Sequence, residues 1–264
     1  AAKNFENCCV LTDPKDYDNF INNFDPELSS NEYLNKEMAL KAFEIVAHYD
    51  ICIANYLGKE IGKETFEKYY SLQKINDLRY GENPHQSATL YSESKNDRTS
   101  IVNSKQHQGK ELSYNNIVDL ESAHEIVSAF GYSCDPTAVI VKHTNPCGIA
   151  QAAKVSEAFE AAFNCDSISA FGGIVALNRD VDEETAAIII KNFTEIVVAP
   201  GFSPGSIKLF AAKKNIRLIR VNSVLNNLIE NNLISSVSEG FLVQERNRFI
   251  LPEAKYKIVS ARQP

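Results

Sequence analysis

The apolar positions of this chain fall into two regimes. Up to about residue 60 they recur at helical spacing, and from residue 137 onward they gather into short continuous runs separated by polar turns. In the first regime, Leu40, Phe43, Ala47, Ile51 and Ala54 follow Ser29-Ser30-Asn31-Glu32, whose Ser29 and Glu32 have the spacing of a capping box, so a long helix is predicted over residues 31–59. Ahead of it, CVLTDPKDY at residues 9–17 reads as the end of a strand followed by an Asp-Pro turn. Residues 109–130 pass from a polar turn into a helix with Ile117, Leu120, Ala123, His124 and Val127 near one stripe. In the second regime, residues 137–141 read as a strand buried on both faces, and residues 154–164 as a helix with Val155, Ala158, Phe159, Ala162 and Phe163 inward. Residues 173–177 read as a strand, 183–193 as a helix, and 197–199 and 216–221 as two short strands with 206–215 helical between them. Strands alternating with helices predict an α/β fold with a largely parallel sheet covered by helices, preceded by a helical segment.

Composition narrows the classes of partner. With 264 residues and 44% hydrophobic content, the chain can bury a sizeable core as one large domain or two smaller ones. A net charge of -7 offers no general basic surface, so neither nucleic acid nor anionic lipid is an expected partner, while a local cationic pocket stays open. No run approaches the roughly 20 apolar residues of a membrane span and no signal-peptide pattern opens the chain, which makes a cytoplasmic protein the expectation. Cys8, Cys9, Cys52, Cys134, Cys147 and Cys165 lack the paired spacing of a zinc site or a disulfide framework, and reduced thiols are expected. The opening AAKNF and the closing ARQP both read as cuts in something longer.

The densest candidate chemistry is TAVIVKHTNPCG, residues 137–148, where the apolar run stops at Lys142 and His143. The carboxyl end of a buried strand is where ligands bind in open α/β sheets, so this pair is either chemistry or a strand end meeting solvent. Adjacent side chains of a regular strand point to opposite faces, and the two converge only if the strand breaks there, as Asn145-Pro146 suggests. A second cluster gathers Arg79, Tyr80, Gly81, Asn83, Pro84, His85 and Gln86. An arginine fork donates two parallel hydrogen bonds to a phosphate and a tyrosine stacks on a heterocycle, yet the same composition suits an ordinary solvated turn. In SAFGG, residues 169–173, Gly172 and Gly173 either let backbone approach a ligand or form a tight turn. His48, His107 and His124 read as packing or surface residues.

LRYGENPHQ, GKELSYNN, VKHTNPCG, SAFGGIVALNR, VVAPGF and FLVQERN, in this order, resemble the first part of the 5-aminoimidazole-4-carboxamide ribonucleotide (AICAR) formyltransferase domain of the bifunctional purine-biosynthesis family. The resemblance covers essentially the whole chain. It implies that residues 1–20 are the C-terminal remnant of an inosine monophosphate (IMP) cyclohydrolase domain, whose tail AAKN resembles. Residues 21–71 would be a helical linker, and 72–264 the first, cytidine-deaminase-like subdomain of the formyltransferase domain. That fold often holds zinc through a Pro-Cys-x-x-Cys segment; here Pro146-Cys147 is followed by Gly148, Ile149 and Ala150, so the second thiolate is missing and no metal is expected.

The reaction implied by the resemblance moves the formyl group of the co-substrate 10-formyltetrahydrofolate onto the 5-amino group of AICAR, giving FAICAR, which the parent protein also cyclises to IMP. That amine is a weak nucleophile because its lone pair is delocalised into the ring and carboxamide. His143 matches the family's proton acceptor, a role that imidazole chemistry suits. Lys142 matches the cation that stabilises the transition state. Arg79 and Tyr80 match positions that bind AICAR, and Gly172 matches a backbone contact. Glu195 stands where some relatives have Asp, and Asn145 is a candidate from its place in KHTNPCG. Lys3 matches a cyclohydrolase catalytic lysine without the rest of its domain. A homodimer is implied. Complete members continue into a second subdomain that supplies a Lys-Ser-Asn-Ala segment and much of the folate pocket, so the isolated segment is expected to be inactive or nearly so. Two other classes stay open: an assembly module using the helix at 31–59 for dimer contacts, and, by fold analogy, a zinc deaminase.

Overall fold

The computed structural model describes residues 1–25, 32–62, 69–92, 101–131, 135–221 and 232–247, and the chain divides into two units, residues 1–77 with 89–96 and residues 78–88 with 97–264. In the first unit a 3-10 turn at Ala2–Asn4 is followed by a second at Pro14–Asp16, which leads into α1 (Tyr17–Asn23). The Asp-Pro turn is present, but the strand expected before it is not: residues 8–12 have no regular structure. The Asp13 carboxylate instead caps the turn by accepting from the Lys15 backbone N–H at 3.0 Å, and Pro14 sits in its first position, where a missing N–H costs nothing.

α2 (Glu32–Glu60) is the predicted long helix, although Ser29 of the proposed capping box lies outside the described residues. Its covered face is not the one that the apolar spacing indicated. Leu34, Asn35, Met38, Ala39 and Ala42 are buried, whereas Leu40 is 60% and Phe43 45% exposed. The face is selected by what packs on it: α2 meets the Ala2–Asn4 turn, Lys36 sits over the Phe5 ring, and Lys41 pairs with Asp16 at 2.6 Å and Asp13 at 3.4 Å. β1 (Gln73–Leu78) and β2 (Ala88–Ser92) then form a two-stranded ladder.

The second unit contains β3 (Lys105–Gln108), α3 (Tyr114–Phe130), β4 (Thr137–Lys142), β5 (Asn145–Gln151), α4 (Val155–Cys165), β6 (Ile174–Leu177), α5 (Glu183–Ile189), β7 (Ile196–Ala199), α6 (Pro204–Phe210), β8 (Arg217–Arg220), β9 (Leu233–Val237) and β10 (Gly240–Gln244). β9 and β10 form an antiparallel hairpin. The other strands make one sheet in the order β3-β8-β7-β6-β4-β5.

That sheet is mixed rather than largely parallel. Only β6–β7 and β7–β8 run parallel, and these are the pairs joined by helical crossovers, α5 and α6. β3–β8, β4–β6 and β4–β5 are antiparallel. Reading Asn145-Pro146 as a break concealed β5, a strand that returns along β4 after two residues and can therefore only be antiparallel. Pro146 is tolerated because β5 lies at the sheet edge.

Side-chain alternation along the strands sorts the core into two layers. Ala138, Ile140, Val175, Leu177, Val197 and Leu218 pack with Phe159, Ala162, Ile189 and Phe210 of the three helices on one face. Val139, Val141, Ile174, Ala176, Ile196 and Val198 pack with Leu120, Ala123 and Val127 of α3 on the other. Each large side chain so covered contributes about 1.5–3 kcal/mol. α5 and α6 end earlier than their apolar patterns indicated, at Ile189 and Phe210. Among the described residues, no helix is long and apolar enough to cross a membrane.

Candidate active site

The site begins at the turn joining β4 to β5. Lys142 pairs with Asn145 across the ladder, and His143 and Thr144 between them have φ angles of 51° and 63°. This is the mirror-image two-residue hairpin turn, which favours Asn-Gly because both central residues need positive φ. Holding two non-glycine residues there costs about 1–2 kcal/mol each, and Thr144 is β-branched besides. Contacts from α3 and from Asn145 hold it. The Thr144 N–H donates to Asp119 Oδ1 at 2.7 Å, the Ser122 hydroxyl donates to the Thr144 carbonyl at 2.9 Å, and Asn145 Nδ2 donates to the His143 carbonyl at 2.8 Å.

The left-handed turn ends the alternation of the strand, and Lys142 and His143 both line one open cleft of about 470 Å³, together with Asn145, Pro146, Cys147, Asp166 and Ser169. The Lys142 ammonium donates to the Phe171 carbonyl at 2.8 Å, which holds it at the cleft wall. Asp166 accepts from the Ser169 hydroxyl at 2.6 Å and from its backbone N–H at 3.0 Å, bonds that keep its carboxyl below the ordinary carboxylate range. Burial pushes the Cys147 thiol up, and Asp166 adds to the shift, so Cys147 is a poor nucleophile at neutral pH. Among the described residues no three His, Cys, Asp or Glu side chains gather as a metal site, and Cys147 is followed by no second thiolate, so the donor set does not fit tetrahedral zinc.

Gly172 has φ 75°, and its N–H donates to the Phe193 carbonyl at 2.7 Å. A Cβ there would press on the Phe193 ring in a conformation that L-residues avoid, so the turn beside the Phe171 carbonyl calls for glycine at this position.

Glu195 leads into β7 and is held from two sides. Asn116 Nδ2 donates to its Oε2 at 2.9 Å, and the Arg217 guanidinium stands 4.0 Å from Oε1 while its Nε donates to the Lys110 carbonyl at 3.0 Å. Asn116 also completes the capping box of α3 with Ser113, each side chain meeting the other's backbone N–H. The same helix end receives the loop after β1. The Tyr114 N–H donates to the Tyr80 carbonyl at 3.3 Å, and Asn115 Nδ2 donates to the Glu82 carbonyl at 3.0 Å. The Arg79 guanidinium lies over the Tyr80 ring, 5.3 Å from its centroid.

Lys142, His143 and Asn145 thus share one cleft, with Gly172 on the neighbouring loop. Arg79, Tyr80 and Glu195 collect at the first turn of α3 and do not line that cleft. Lys3 is exposed on the Ala2–Asn4 turn of the first unit. His124 is buried in α3, a packing residue and not a surface one. Sequence reasoning missed Asn116, Asp119, Ser122 and Arg217. One available signal was the spacing of Asp119 and Ser122, three residues apart on a helix and hence on one face.

The chain matches the model of the AICARFT/IMPCHase bienzyme family over residues 1–264. The Bifunctional purine biosynthesis protein PurH of Acetivibrio thermocellus is 41% identical to it over 267 residues, covering 100% of this chain and 51% of that protein. Proteins of the same name from Halalkalibacterium halodurans and Bacillus subtilis are 42% and 40% identical over 265 residues. The chain spans about half the length of the curated relatives it matches. Among solved structures, Acinetobacter baumannii RibD, form 2, overlaps 38% of this chain and 35% of its own at 15% identity and a TM-score of 0.30, too slight an overlap to bear on the fold.

Proposed function

Because the chain belongs to the AICARFT/IMPCHase bienzyme family, we propose that it supplies the proton-accepting part of an AICAR formyltransferase site, within a purine-biosynthesis protein that also cyclises FAICAR to IMP. The observation that supports this most is the convergence of Lys142 and His143 on one cleft. As the 5-amino nitrogen of AICAR bonds to the formyl carbon of 10-formyltetrahydrofolate, it loses a proton to the His143 imidazole, and the bond from that carbon to N10 then breaks, N10 taking up a proton and leaving as tetrahydrofolate. Negative charge develops on the formyl oxygen, and Lys142, fixed by the Phe171 carbonyl, faces it. Arg79 binds the substrate phosphate and Tyr80 its heterocycle. Gly172, Glu195 and Asn145 add further substrate contacts, and the subdomain has the cytidine-deaminase-like fold. Lys3 belongs to the cyclohydrolase activity and does nothing without the rest of that domain. No metal takes part, and stoichiometric zinc in the purified protein would restore the deaminase reading instead.

The decisive experiment is His143→Ala in the full-length protein. Formyl transfer falls by at least about a hundredfold, the range of general-base contributions, while AICAR still raises the melting temperature. Undiminished turnover in that variant refutes the assignment. The 264-residue chain by itself is expected to be inactive or nearly so, and robust turnover by it alone contradicts that expectation.

A second reading, an assembly module, has its own support. α2 exposes Phe43, Ile45, Val46, Tyr49, Ile53, Tyr56 and Leu57, an apolar surface of the kind that interfaces cover. The homodimer implied by family membership would place a second copy there, and sedimentation measures it.

A further inference from the structure

We propose that Asp119 and Ser122 of α3 are positioning residues for the formyl-transfer reaction, holding the His143-Thr144 turn left-handed so that the imidazole stays beside Lys142. This rests on the reading of His143 as the proton acceptor. Along β4, Ala138 and Ile140 enter one core layer and Val139 and Val141 the other. Continued one step further, the same alternation would send residues 142 and 143 to opposite faces. The positive φ of 51° at His143 ends the alternation, and both side chains line the cleft.

The local sequence does not favour that geometry. Neither central residue is Gly or Asn, and Thr144, at φ 63°, carries a branched Cβ in a region that such residues avoid. Released from outside contacts, the turn would relax toward negative φ and take the imidazole with it. Apart from the Asn145 bond to the His143 carbonyl, what prevents this is non-local. Asp119 Oδ1 accepts from the Thr144 N–H at 2.7 Å, and Ser122 Oγ donates to the Thr144 carbonyl at 2.9 Å, so one helix face engages both backbone polar groups of the residue that resists the turn. The first of these bonds is charge-assisted, the stronger kind. α3 is a firm support, because its capping box fixes its start and Leu120, Ala123 and Val127 bury its inner face. Neither Asp119 nor Ser122 lines the cleft. Their influence on the reaction therefore passes through the turn.

The test uses the full-length protein and three variants. In Asp119→Ala, kcat falls about tenfold or more while KM for AICAR stays within about twofold, because the loss is one of orientation and not of binding. Asp119→Asn keeps an acceptor oxygen for the Thr144 N–H and retains most of the rate. In the double variant Asp119→Ala/Thr144→Gly, the glycine adopts positive φ without help, and most of the lost kcat returns. A role confined to stability predicts something different: a lower melting temperature with unchanged kcat per folded molecule, and no rescue by Asn or Gly. Unchanged kcat in Asp119→Ala overturns the proposal, as does a double variant no faster than Asp119→Ala alone. Full turnover in His143→Ala would instead overturn the underlying reading of the site, whatever the Asp119 variants do.

Discussion

α2 and α3 both announce themselves by apolar spacing, and the structure uses them in opposite ways. α3 has 17 residues and uses nearly all of them: a capping box at its start, a stripe buried against the sheet, and a polar edge that grips the hairpin, Glu195 and the loop carrying Tyr80. α2 has 29 residues and buries only positions between Leu34 and Ala42. Its later turns leave Ile53, Tyr56 and Leu57 exposed, the last two by more than half. Periodicity therefore shows where a helix forms, while coverage depends on what is available to pack against it. Of these two helices, the shorter one carries the core contacts with the sheet and the bonds to the hairpin.

Substituting a buried leucine of α3 gives the largest expected effect. Leu120 is fully buried in the layer between α3 and the sheet, so Leu120→Ala should cost about 2–5 kcal/mol, the range for core truncations that leave a cavity. Chemical denaturation measures it. A cost near zero would mean that α3 is not packed as described, and the contrast with α2 would fail at its stronger end.

The cap of α3 is a smaller matter. Ser113 Oγ accepts from the Asn116 N–H at 3.3 Å, a long bond, and Asn116 Oδ1 accepts from the Ser113 N–H at 3.2 Å. Ser113→Ala should cost about 1 kcal/mol, the usual loss for an N-cap. Because Asn116 also donates to Glu195, the same variant should loosen the helix end that receives Tyr80, and weakened AICAR binding by the full-length protein would register that. A stability loss with no change in AICAR affinity would separate the cap from the site.

The same contrast explains what could be read from residues alone. The α3 stripe was legible because its apolar side faces a sheet that is itself apolar, and β4 was legible because both of its faces are covered. The stripe on α2 was misassigned because short turns with little periodicity of their own, around Phe5 and Pro14, select the buried face. β5 was hidden by Pro146 and Gly148, residues that argue against a strand. Gly148 is required where α4 crosses, since a Cβ there would run into the Ala162 carbonyl, and Pro146 is permitted by the free edge. The strand-end pattern and the resemblance both pointed to Lys142 and His143, but neither pointed to what holds them. His143-Thr144 has no local turn signal, and its conformation depends on two residues more than twenty positions earlier in the chain. Arg217 was hidden for a similar reason: its room is made by Gly109, in another segment, where any Cβ would collide with its side chain.

The smallest expected effect bears most directly on α2. Ile53 is exposed, so Ile53→Ala should change the stability of the dilute chain by no more than about 0.5 kcal/mol, against several for the buried leucine of α3. That near-null value is informative only with concentration as a second axis. If a second copy covers α2, association stabilises the folded chain by mass action, and the melting temperature rises with protein concentration. Ile53→Ala would then lower it increasingly as concentration increases, although the dilute measurement shows nothing. A melting temperature independent of concentration in both proteins would mean that no copy docks on these turns, leaving the difference between the helices a property of the single chain. A substantial cost already present at high dilution would instead place Ile53 in contact with this same chain, which would remove the contrast between α2 and α3.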